Sequence, residues 1–216
     1  MAIDLYWGNG SAYCWRVLLA LKHKGLDYRS HPLKFDQQEH QAPQMLAMNP
    51  RGRLPVLRDG DYVVFESVAI LYFLDRKYPA PPLFGRNAEE GGVIMRVVCE
   101  YQAYAEPSLM QLVSHFLYRR DPRPDAAQAE VLSEAMHRVA GEARTIERRL
   151  AQSDWVVGES ISAADMVIYP DILLLLRALA MPGASELAAR FLPVDTNYPA
   201  LGRWLKRVAA IAPALP

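Results

Sequence analysis

A serine at the predicted start of the first helix, Ser11, is a candidate for stabilising a thiolate. It follows a turn at 8–10 and precedes a helical run that ends in Lys-His-Lys and Gly25, a pattern typical of a helix C-terminus. A helix N-terminus presents free amides and a positive partial charge. The hydroxyl is a poor nucleophile without a histidine beside it. Its hydrogen bond to a thiolate, however, is worth roughly 1.5–3 kcal/mol, which lowers a thiol pKa of ~8.5 by about one to two units. Simple N-capping explains the same spacing.

A proline inside an apolar run marks a second candidate position. Pro55 lies in residues 49–57, which read NPRGRLPVL. A proline in a strand belongs at its start or on an edge, because it cannot donate to the ladder. A cis peptide before Pro55 would leave the backbone groups of Leu54 exposed and fixed, where an extended peptide ligand could pair with them. An ordinary proline at a strand start is the alternative.

The junction between a strand and a helix at Glu66 and Ser67 is the third candidate. Taken as an N-cap, Ser67 offers an amide and a hydroxyl that suit a carboxylate, whereas Glu66 suits an ammonium group. One zwitterionic amino-acid end would satisfy both residues, and capping alone is the alternative. Together the three positions accommodate a thiolate, an extended peptide backbone and an α-amino acid terminus at the edge of one small sheet.

The elements that position these residues follow from the apolar pattern of the N-terminal part of the chain. Turn residues separate short apolar runs from stretches with helical periodicity. We predict strands over 3–7, 28–33, 54–57 and 62–65, and helices over 11–24 and 67–78, with a connecting helix between the second and third strands. The βαβ order implies parallel pairing, and the Asp-Gly hairpin adds an antiparallel strand. The prediction is therefore a four-stranded mixed sheet.

The remainder of the chain has a helical pattern. Pro-Ala-Pro-Pro at 79–82 interrupts regular structure, because proline fixes φ and removes a donor. Residues 90–118 and 125–151 carry apolar positions at helical spacing, and no strand is predicted among them. Ser162 as N-cap and Asp165 at N3 form a variant capping box that begins a core helix. The predicted organisation is an α/β domain over 1–79, a linker over 80–89 and an all-helical domain over 90–216.

Composition and charge exclude several classes of protein. Apolar residues make up 51% of the 216-residue chain, and 24 basic residues balance 24 acidic ones. The first value excludes disorder, and the second gives no basic excess for binding nucleic acid. Cys14 and Cys99 form neither a CxxC pair nor a metal-spaced cluster, so no metal is expected. The N-terminus lacks a signal-peptide pattern and the apolar run 166–180 is too short to span a bilayer, which predicts a cytoplasmic protein with no membrane partner.

Three segments resemble the cytosolic glutathione transferases and span both predicted domains. SAYCWRVLLALKHKGLDY at 11–28 is similar to the serine-type classes (zeta, phi and theta), and NPRGRLPVL at 49–57 with FESVAILYFL at 65–74 resembles the glutathione-site signature. GESISAADMVIYP at 158–170 resembles the folding motif of the second domain. The resemblance implies a bacterial, serine-type member: a homodimer with a thioredoxin-like N-terminal domain and an all-helical C-terminal domain.

The resemblance also implies a role for each candidate. Ser11 corresponds to the hydroxyl that holds the glutathione thiolate and is the expected catalytic residue. Leu54, followed by a cis Pro55, corresponds to the backbone that pairs with the cysteinyl part. Glu66 and Ser67 correspond to the binders of the γ-glutamyl part.

At the glycyl end of glutathione the resemblance implies two further residues. His40 is a candidate for the glycyl carboxylate, and Arg53 lies where the family often places a Lys or Gln against the same group. Gln41 departs from the pattern, because related enzymes have a lysine there. Cys14 lies one turn beyond the position of the omega-class catalytic cysteine, which falls on Ser11. It is therefore expected to pack, and thiol-transferase chemistry is not favoured.

The second substrate is expected between the two domains, against the first helices of the second. Aromatic residues at helical spacing are also typical of a core, so packing is the alternative for the candidate lining. The candidates are Trp7, Tyr13, Tyr104, His115 and Tyr118. Tyr6, at the end of the first strand, is expected to pack.

The resulting hypothesis is an enzyme that uses glutathione as co-substrate, without a metal, to conjugate an electrophilic, mainly apolar small molecule in detoxification. The alternatives are a glutathione-dependent isomerase or peroxidase, and a non-catalytic protein that kept the fold for binding or regulation. Ser11-Ala12-Tyr13 replaces the zeta-type Ser-Ser-Cys, which makes maleylacetoacetate isomerase activity the weaker alternative.

Overall fold

The computed structural model describes residues 3–213. These residues form two compact units. Unit 1 comprises residues 3–86 together with 211–213, and unit 2 comprises residues 87–210.

Unit 1 is built on a four-stranded mixed sheet, as the sequence predicts. Its strands are β1 (Ile3–Trp7), β2 (Tyr28–Pro32), β3 (Val56–Asp59) and β4 (Tyr62–Phe65). Their order is β2-β1-β3-β4. β1 pairs with β2 in parallel and with β3 antiparallel, and β3 pairs antiparallel with β4. The parallel pair is the βαβ unit, and the last pair is the Asp-Gly hairpin.

Three helices complete unit 1: α1 (Ala12–His23), α2 (Pro43–Met48) and α3 (Ser67–Lys77). α1 is buried along most of its length, because Trp15, Val17, Leu18 and Leu19 lie among apolar neighbours. Gly25 has a φ of 62°, the left-handed conformation that ends a helix and that favours glycine.

The predicted bounds of β3 and the predicted cap of α3 are wrong by one or two residues. β3 runs from Val56 to Asp59 instead of over 54–57; Pro55 has no amide hydrogen to donate to the ladder. The peptide bond between Leu54 and Pro55 is cis, as expected. Ser67 is the first residue of α3 and not its N-cap. The N-cap is Glu66, whose carbonyl accepts the first helical hydrogen bond, from the amide of Ile70 at 2.9 Å.

Unit 2 is helical, and no strand occurs in its described residues. Its longer helices cover the predicted regions, whereas the helices after residue 180 were not predicted. In chain order the helices are α4 (Ala88–Glu100), α5 (Glu106–Tyr118), α6 (Ala126–Leu150), α7 (Ala163–Leu179), α8 (Ser185–Ala188), α9 (Val194–Asn197) and α10 (Pro199–Ile211).

A π-helical turn at Tyr101–Ala105 joins α4 to α5. The amide of Glu106 donates to the carbonyl of Tyr101, five residues back. Pro107, in the first turn of α5, cannot donate and its ring crowds the carbonyl four residues earlier. The wider turn accommodates this proline within an otherwise continuous helical path.

The predicted capping box of α7 is confirmed. The amide and the hydroxyl of Ser162 both donate to Oδ2 of Asp165, at 2.9 and 3.0 Å. Oδ1 of Asp165 accepts from the amide of Val156 at 3.0 Å and from Nε1 of Trp204 at 2.8 Å. Burial, the largest influence, raises the pKa of this carboxyl against the four hydrogen bonds. Asp165 thus ties α7 to α10 and to the segment that precedes α7.

Candidate functional site

The strand register of unit 1 brings the three candidate segments to one end of the sheet. Tyr6 of β1 lies opposite Val56 of β3, and Val56 lies opposite Phe65 of β4. The end of β1, the beginning of β3 and the end of β4 are therefore neighbours. Ser11 follows the first, Leu54-Pro55 precedes the second, and Glu66-Ser67 follows the third.

Ser11 is the N-cap of α1 and is half-buried, with extended backbone angles of φ −99° and ψ 114°. Its Oγ accepts from the amide of Cys14 at 3.4 Å, which is long for such a bond. Since the oxygen acts as acceptor here, the hydroxyl hydrogen is left to donate to a ligand. The first turn of α1 contains no acidic residue, so the positive end of the helix remains available to an anion.

Cys14 packs in the interior of unit 1, as predicted. Its side chain is buried with Met45, Leu54 and Val56, and its Sγ accepts from the amide of Gly8 at 3.4 Å. Burial raises the pKa of the Cys14 thiol to about 11. The side chain is therefore a neutral thiol at physiological pH and not a nucleophile.

Asn49 fixes the loop that leads into Leu54. It is almost fully buried. Its Nδ2 donates to the carbonyl of Arg53 at 2.8 Å, and its Oδ1 accepts from the amide of Arg51 at 3.1 Å. Its own carbonyl accepts from the amide of Gly52 at 2.9 Å. This role of Asn49 was not predicted, although Asn-Pro followed by a glycine two residues later is a turn signal.

Glu66 holds a backbone conformation that is rare for its residue type. Its φ is 68° and its ψ is 117°, and a left-handed, non-glycine residue costs of order ~1–3 kcal/mol. Such strain is concentrated at ligand-binding positions. The side chain is exposed, so its carboxylate is available to an ammonium group.

Ser67 is buried at the beginning of α3, and its Oγ lies 3.4 Å from Nη1 of Arg16. Arg16 comes from α1 and is fully buried. Its place beside Ser67 was not predicted from the sequence. The signal that was present is a charged residue within the apolar run of α1.

At the predicted glycyl position, His40 and Gln41 have different environments. The ring of His40 contacts Phe35 edge-on, with centroids 5.1 Å apart. Its buried Nδ1 forms no hydrogen bond within the described residues. Gln41 donates through Nε2 to the carbonyl of Gly52 at 2.9 Å, so it supports the loop that precedes Leu54. Arg53 is exposed.

Two of the predicted acceptor-binding residues lie in unit 1. Trp7 is half-buried and donates through Nε1 to Oγ of Ser30 at 2.9 Å. Tyr13 is also half-buried, and the guanidinium carbon of Arg16 lies 4.6 Å from the centre of its ring. Tyr6 stacks on His31 with centroids 4.6 Å apart, in agreement with a packing role.

The other three lie in unit 2 and do not share one environment. Tyr104, in the π turn, is 65% exposed and Tyr118 is 60% exposed. His115 is buried: its Nδ1 accepts from Nη1 of Arg119 at 3.3 Å, and its Nε2 donates to the carbonyl of Pro122 at 3.0 Å. It lines a cavity of about 410 Å³ between α5 and α6, to which neither tyrosine contributes.

Within residues 3–213, no group of three or more His, Cys, Asp or Glu side chains is arranged to hold a metal ion. Over the same residues, none of the helices is long and apolar enough to cross a bilayer.

Two family models match the chain. The model for the glutathione S-transferase N-terminal domain matches residues 5–82, and the model for the glutathione S-transferase C-terminal domain matches residues 105–212. Maleylacetoacetate isomerase of Pseudomonas aeruginosa is 30% identical over 179 residues, which cover 80% of each chain.

Solved structures of similar fold agree with the family models. A glutathione S-transferase from the Antarctic clam Laternula elliptica has a TM-score of 0.79 and 28% identity, and the match covers 96% of this chain and 87% of that one. Glutathione S-transferase-I bound with the ligand lactoylglutathione has a TM-score of 0.75 and 26% identity, over 98% of this chain and 100% of the other.

Proposed function

The chain belongs to the glutathione transferase family, and from this premise we propose that it conjugates the thiolate of glutathione to an electrophilic carbon of a mainly apolar small molecule. The observation that carries the proposal is the strand register. It gathers at one end of the sheet a helix start for an anion, a fixed backbone segment and a second helix start with a carboxylate beside it.

Each segment suits one part of the tripeptide. Ser11 donates to the thiolate, and the backbone of Leu54, before the cis Pro55, pairs with the cysteinyl part. Glu66 binds the α-ammonium group of the γ-glutamyl part, while Ser67 and the free amides of α3 bind its α-carboxylate.

The glycyl carboxylate is assigned to His40 and Arg53. His40 offers a buried nitrogen that has no hydrogen-bond partner among residues 3–213, and Arg53 offers an exposed guanidinium. In the proposal Gln41 holds the loop and not the ligand, because its side-chain amide donates to the carbonyl of Gly52.

The chemistry needs an ionised sulfur and a fixed approach. Binding at the start of α1 favours loss of the thiol proton to solvent, because the Ser11 hydroxyl and the helix end stabilise the anion. The thiolate then forms a carbon–sulfur bond, and the electron pair leaves with the departing group or moves into the conjugated acceptor. The thiol of Cys14 does not compete, since burial raises its pKa.

For the acceptor we propose aromatic contacts from Trp7 and Tyr13, which are half-buried in unit 1. Tyr104 and Tyr118 are exposed within unit 2 and stay candidates from the sequence. His115 is a weaker candidate, because both of its ring nitrogens are engaged within unit 2.

A homodimer, a cytoplasmic location and a role in detoxification are further parts of the proposal and rest on family membership. Assignment of residues 1–79 to glutathione binding and of 90–216 to the second substrate, with a linker at 80–89, belongs to it as well. Light scattering on the purified chain tests the dimer.

A second candidate activity is glutathione-dependent isomerisation of a cis-enone acid. It is favoured by the 30% identity to maleylacetoacetate isomerase. Against it stands the sequence Ser11-Ala12-Tyr13, where the zeta-type pattern is Ser-Ser-Cys. Steady-state assays with maleylacetoacetate and with an activated aryl halide, at equal glutathione, separate the two activities.

Calorimetric titration with glutathione tests the proposal at its base. We expect saturable binding that weakens at least about tenfold in Glu66→Gln, because an ammonium partner is lost. Asp61→Asn, an exposed change in the preceding hairpin, serves as the control and should bind normally. Absence of association at millimolar glutathione would refute the proposed function.

A further inference from the structure

Arg16 is a fully buried cation in the apolar helix α1. Its exposure is 0%, and its neighbours Trp15 and Val17 are buried as well. Placing a charge in a protein interior is costly unless other groups compensate it. Two of the contacts of its guanidinium bear on the start of α3.

The guanidinium connects α1 to the first residue of α3. Nη1 of Arg16 donates to Oγ of Ser67 at 3.4 Å, and the ring of Tyr13 lies against the guanidinium carbon at 4.6 Å. The tyrosine face stabilises the cation and restricts its plane.

The donor character of arginine determines the orientation of the Ser67 hydroxyl. A guanidinium has only donors, so Oγ of Ser67 must act as the acceptor in this contact. The hydroxyl hydrogen of Ser67 is then left to donate to a third group. That residue begins an eleven-residue helix, whose first amides have no partner within the helix.

We propose that Arg16 is a positioning residue for the α-carboxylate of the γ-glutamyl group: it orients the Ser67 hydroxyl as a donor to that carboxylate and places a permanent positive charge behind it. The inference rests on the proposed function, because it assumes that glutathione binds at the start of α3. Glutathione carries two carboxylates, and the inference concerns only that of the γ-glutamyl group.

Kinetics of Arg16→Gln give the first test. We expect the KM for glutathione to rise about tenfold or more, since a charge-assisted contact is lost. At saturating glutathione, kcat should change less than about threefold, because the thiolate site at Ser11 is intact. Arg16→Lys should recover part of the KM. Lys22→Gln removes an exposed cation from the same helix and should leave both constants unchanged.

A glutathione analogue distinguishes positioning from a general structural role. γ-Aminobutyryl-cysteinylglycine lacks only the α-carboxylate in question. Wild-type protein should bind glutathione at least about tenfold more tightly than the analogue, and Arg16→Gln should lose this preference. Equal weakening of both thiols, or a retained preference, would overturn the inference while leaving the proposed function intact.

A measurement on the wild-type chain covers the case in which Arg16→Gln does not fold. The side-chain nitrogen signals of Arg16 in a ¹⁵N-arginine-labelled sample should shift on addition of glutathione and remain in place on addition of the analogue. Equal shifts with both ligands, or none with either while calorimetry reports binding, would overturn the inference. If wild-type protein bound no glutathione at all, both proposals would be refuted.

Discussion

Two serines cap helices in this protein, and their surroundings differ. Ser162, at the start of α7 in unit 2, is buried and donates twice to the carboxylate of Asp165 at N3. Ser11, at the start of α1 in unit 1, has Cys14 at N3 and is half-buried. The start of α7 is therefore occupied by the carboxyl group of Asp165, whereas the start of α1 is left open to an anion from outside the protein.

The same contrast is seen between α3 of unit 1 and two of the longer helices of unit 2. α4 and α6 of unit 2 begin with side-chain caps from Asn87 and Asp125. α3 of unit 1 begins without a side-chain cap bond and without an acid in its first turn. The open start of α3 suits anion binding, and the side-chain caps of α4 and α6 suit stability. In α1 and α7, the residue at N3 determines whether the helix start is open to an external anion. The capping serine is common to both helices and does not decide it.

The largest expected effect comes from removing the Asp165 carboxyl group at the start of α7. Asp165→Ala leaves four buried donors without their acceptor, and we expect the free energy of unfolding to fall by about 3 kcal/mol or more. Urea denaturation measures it. Asp154→Ala, which removes an exposed carboxylate paired with Arg207, should cost less than about 1 kcal/mol. A similar loss in both variants would contradict the structural role of Asp165.

A moderate effect is expected from introducing a carboxylate at the open start of α3. Ala69 is exposed at N3 of α3. Ala69→Glu should stabilise the helix by about 0.3–1 kcal/mol and weaken glutathione binding about three- to tenfold, because the new carboxylate repels that of the ligand. Thermal unfolding and calorimetry measure the two changes.

Ala69→Gln is the matched neutral variant and should show neither change. The loss of affinity in Ala69→Glu should also decrease with added salt. Tighter glutathione binding in Ala69→Glu would mean that the carboxylate of the ligand is bound elsewhere.

The smallest effect concerns acid stability, in which unit 1 and unit 2 should again differ. Asp59 is buried, and its pKa lies below the usual 3.8: burial raises it, but hydrogen bonds from Lys77 and Tyr78 lower it further. Its stabilising contribution is therefore present above about pH 4 and is lost as pH falls through the lowered pKa. The pKa of Asp165 is raised, so the titration of this residue does not cause a loss of stability as pH falls.

Asp59→Asn should flatten the dependence of unfolding free energy on pH below about pH 4. Urea unfolding at a series of pH values measures the slope, and Asp61→Asn in the same hairpin is the exposed control. An unchanged slope in Asp59→Asn would show that another carboxylate dominates the acid response.

Local signals were sufficient for the sheet, and they put three candidate residues at the ends of its elements. The Asp-Gly turn gave the hairpin, the proline run marked the change to helical structure, and residues Ser11, Pro55 and Glu66 were visible at element ends. What could not be predicted depends on distant parts of the chain. The contact between Arg16 and Ser67 joins residues 51 positions apart.

Other differences between the prediction and the structure also lie in features that a short stretch of sequence does not indicate. The left-handed φ of Glu66 moves the helix start by one residue, and nothing in a Glu-Ser pair indicates it. The π turn at Tyr101–Ala105 depends on how the chain accommodates Pro107. Short helices such as α8 and α9 have too few residues to show a periodicity.

The central claim is that the open start of α1 stabilises a sulfur anion through Ser11. Ultraviolet titration of the thiol of bound glutathione in wild-type protein and in Ser11→Ala tests it most directly. We predict a bound-thiol pKa about one to two units below that of free glutathione in the wild type, and a return of most of that shift in Ser11→Ala. Equal thiol pKa values in the two proteins would contradict the account.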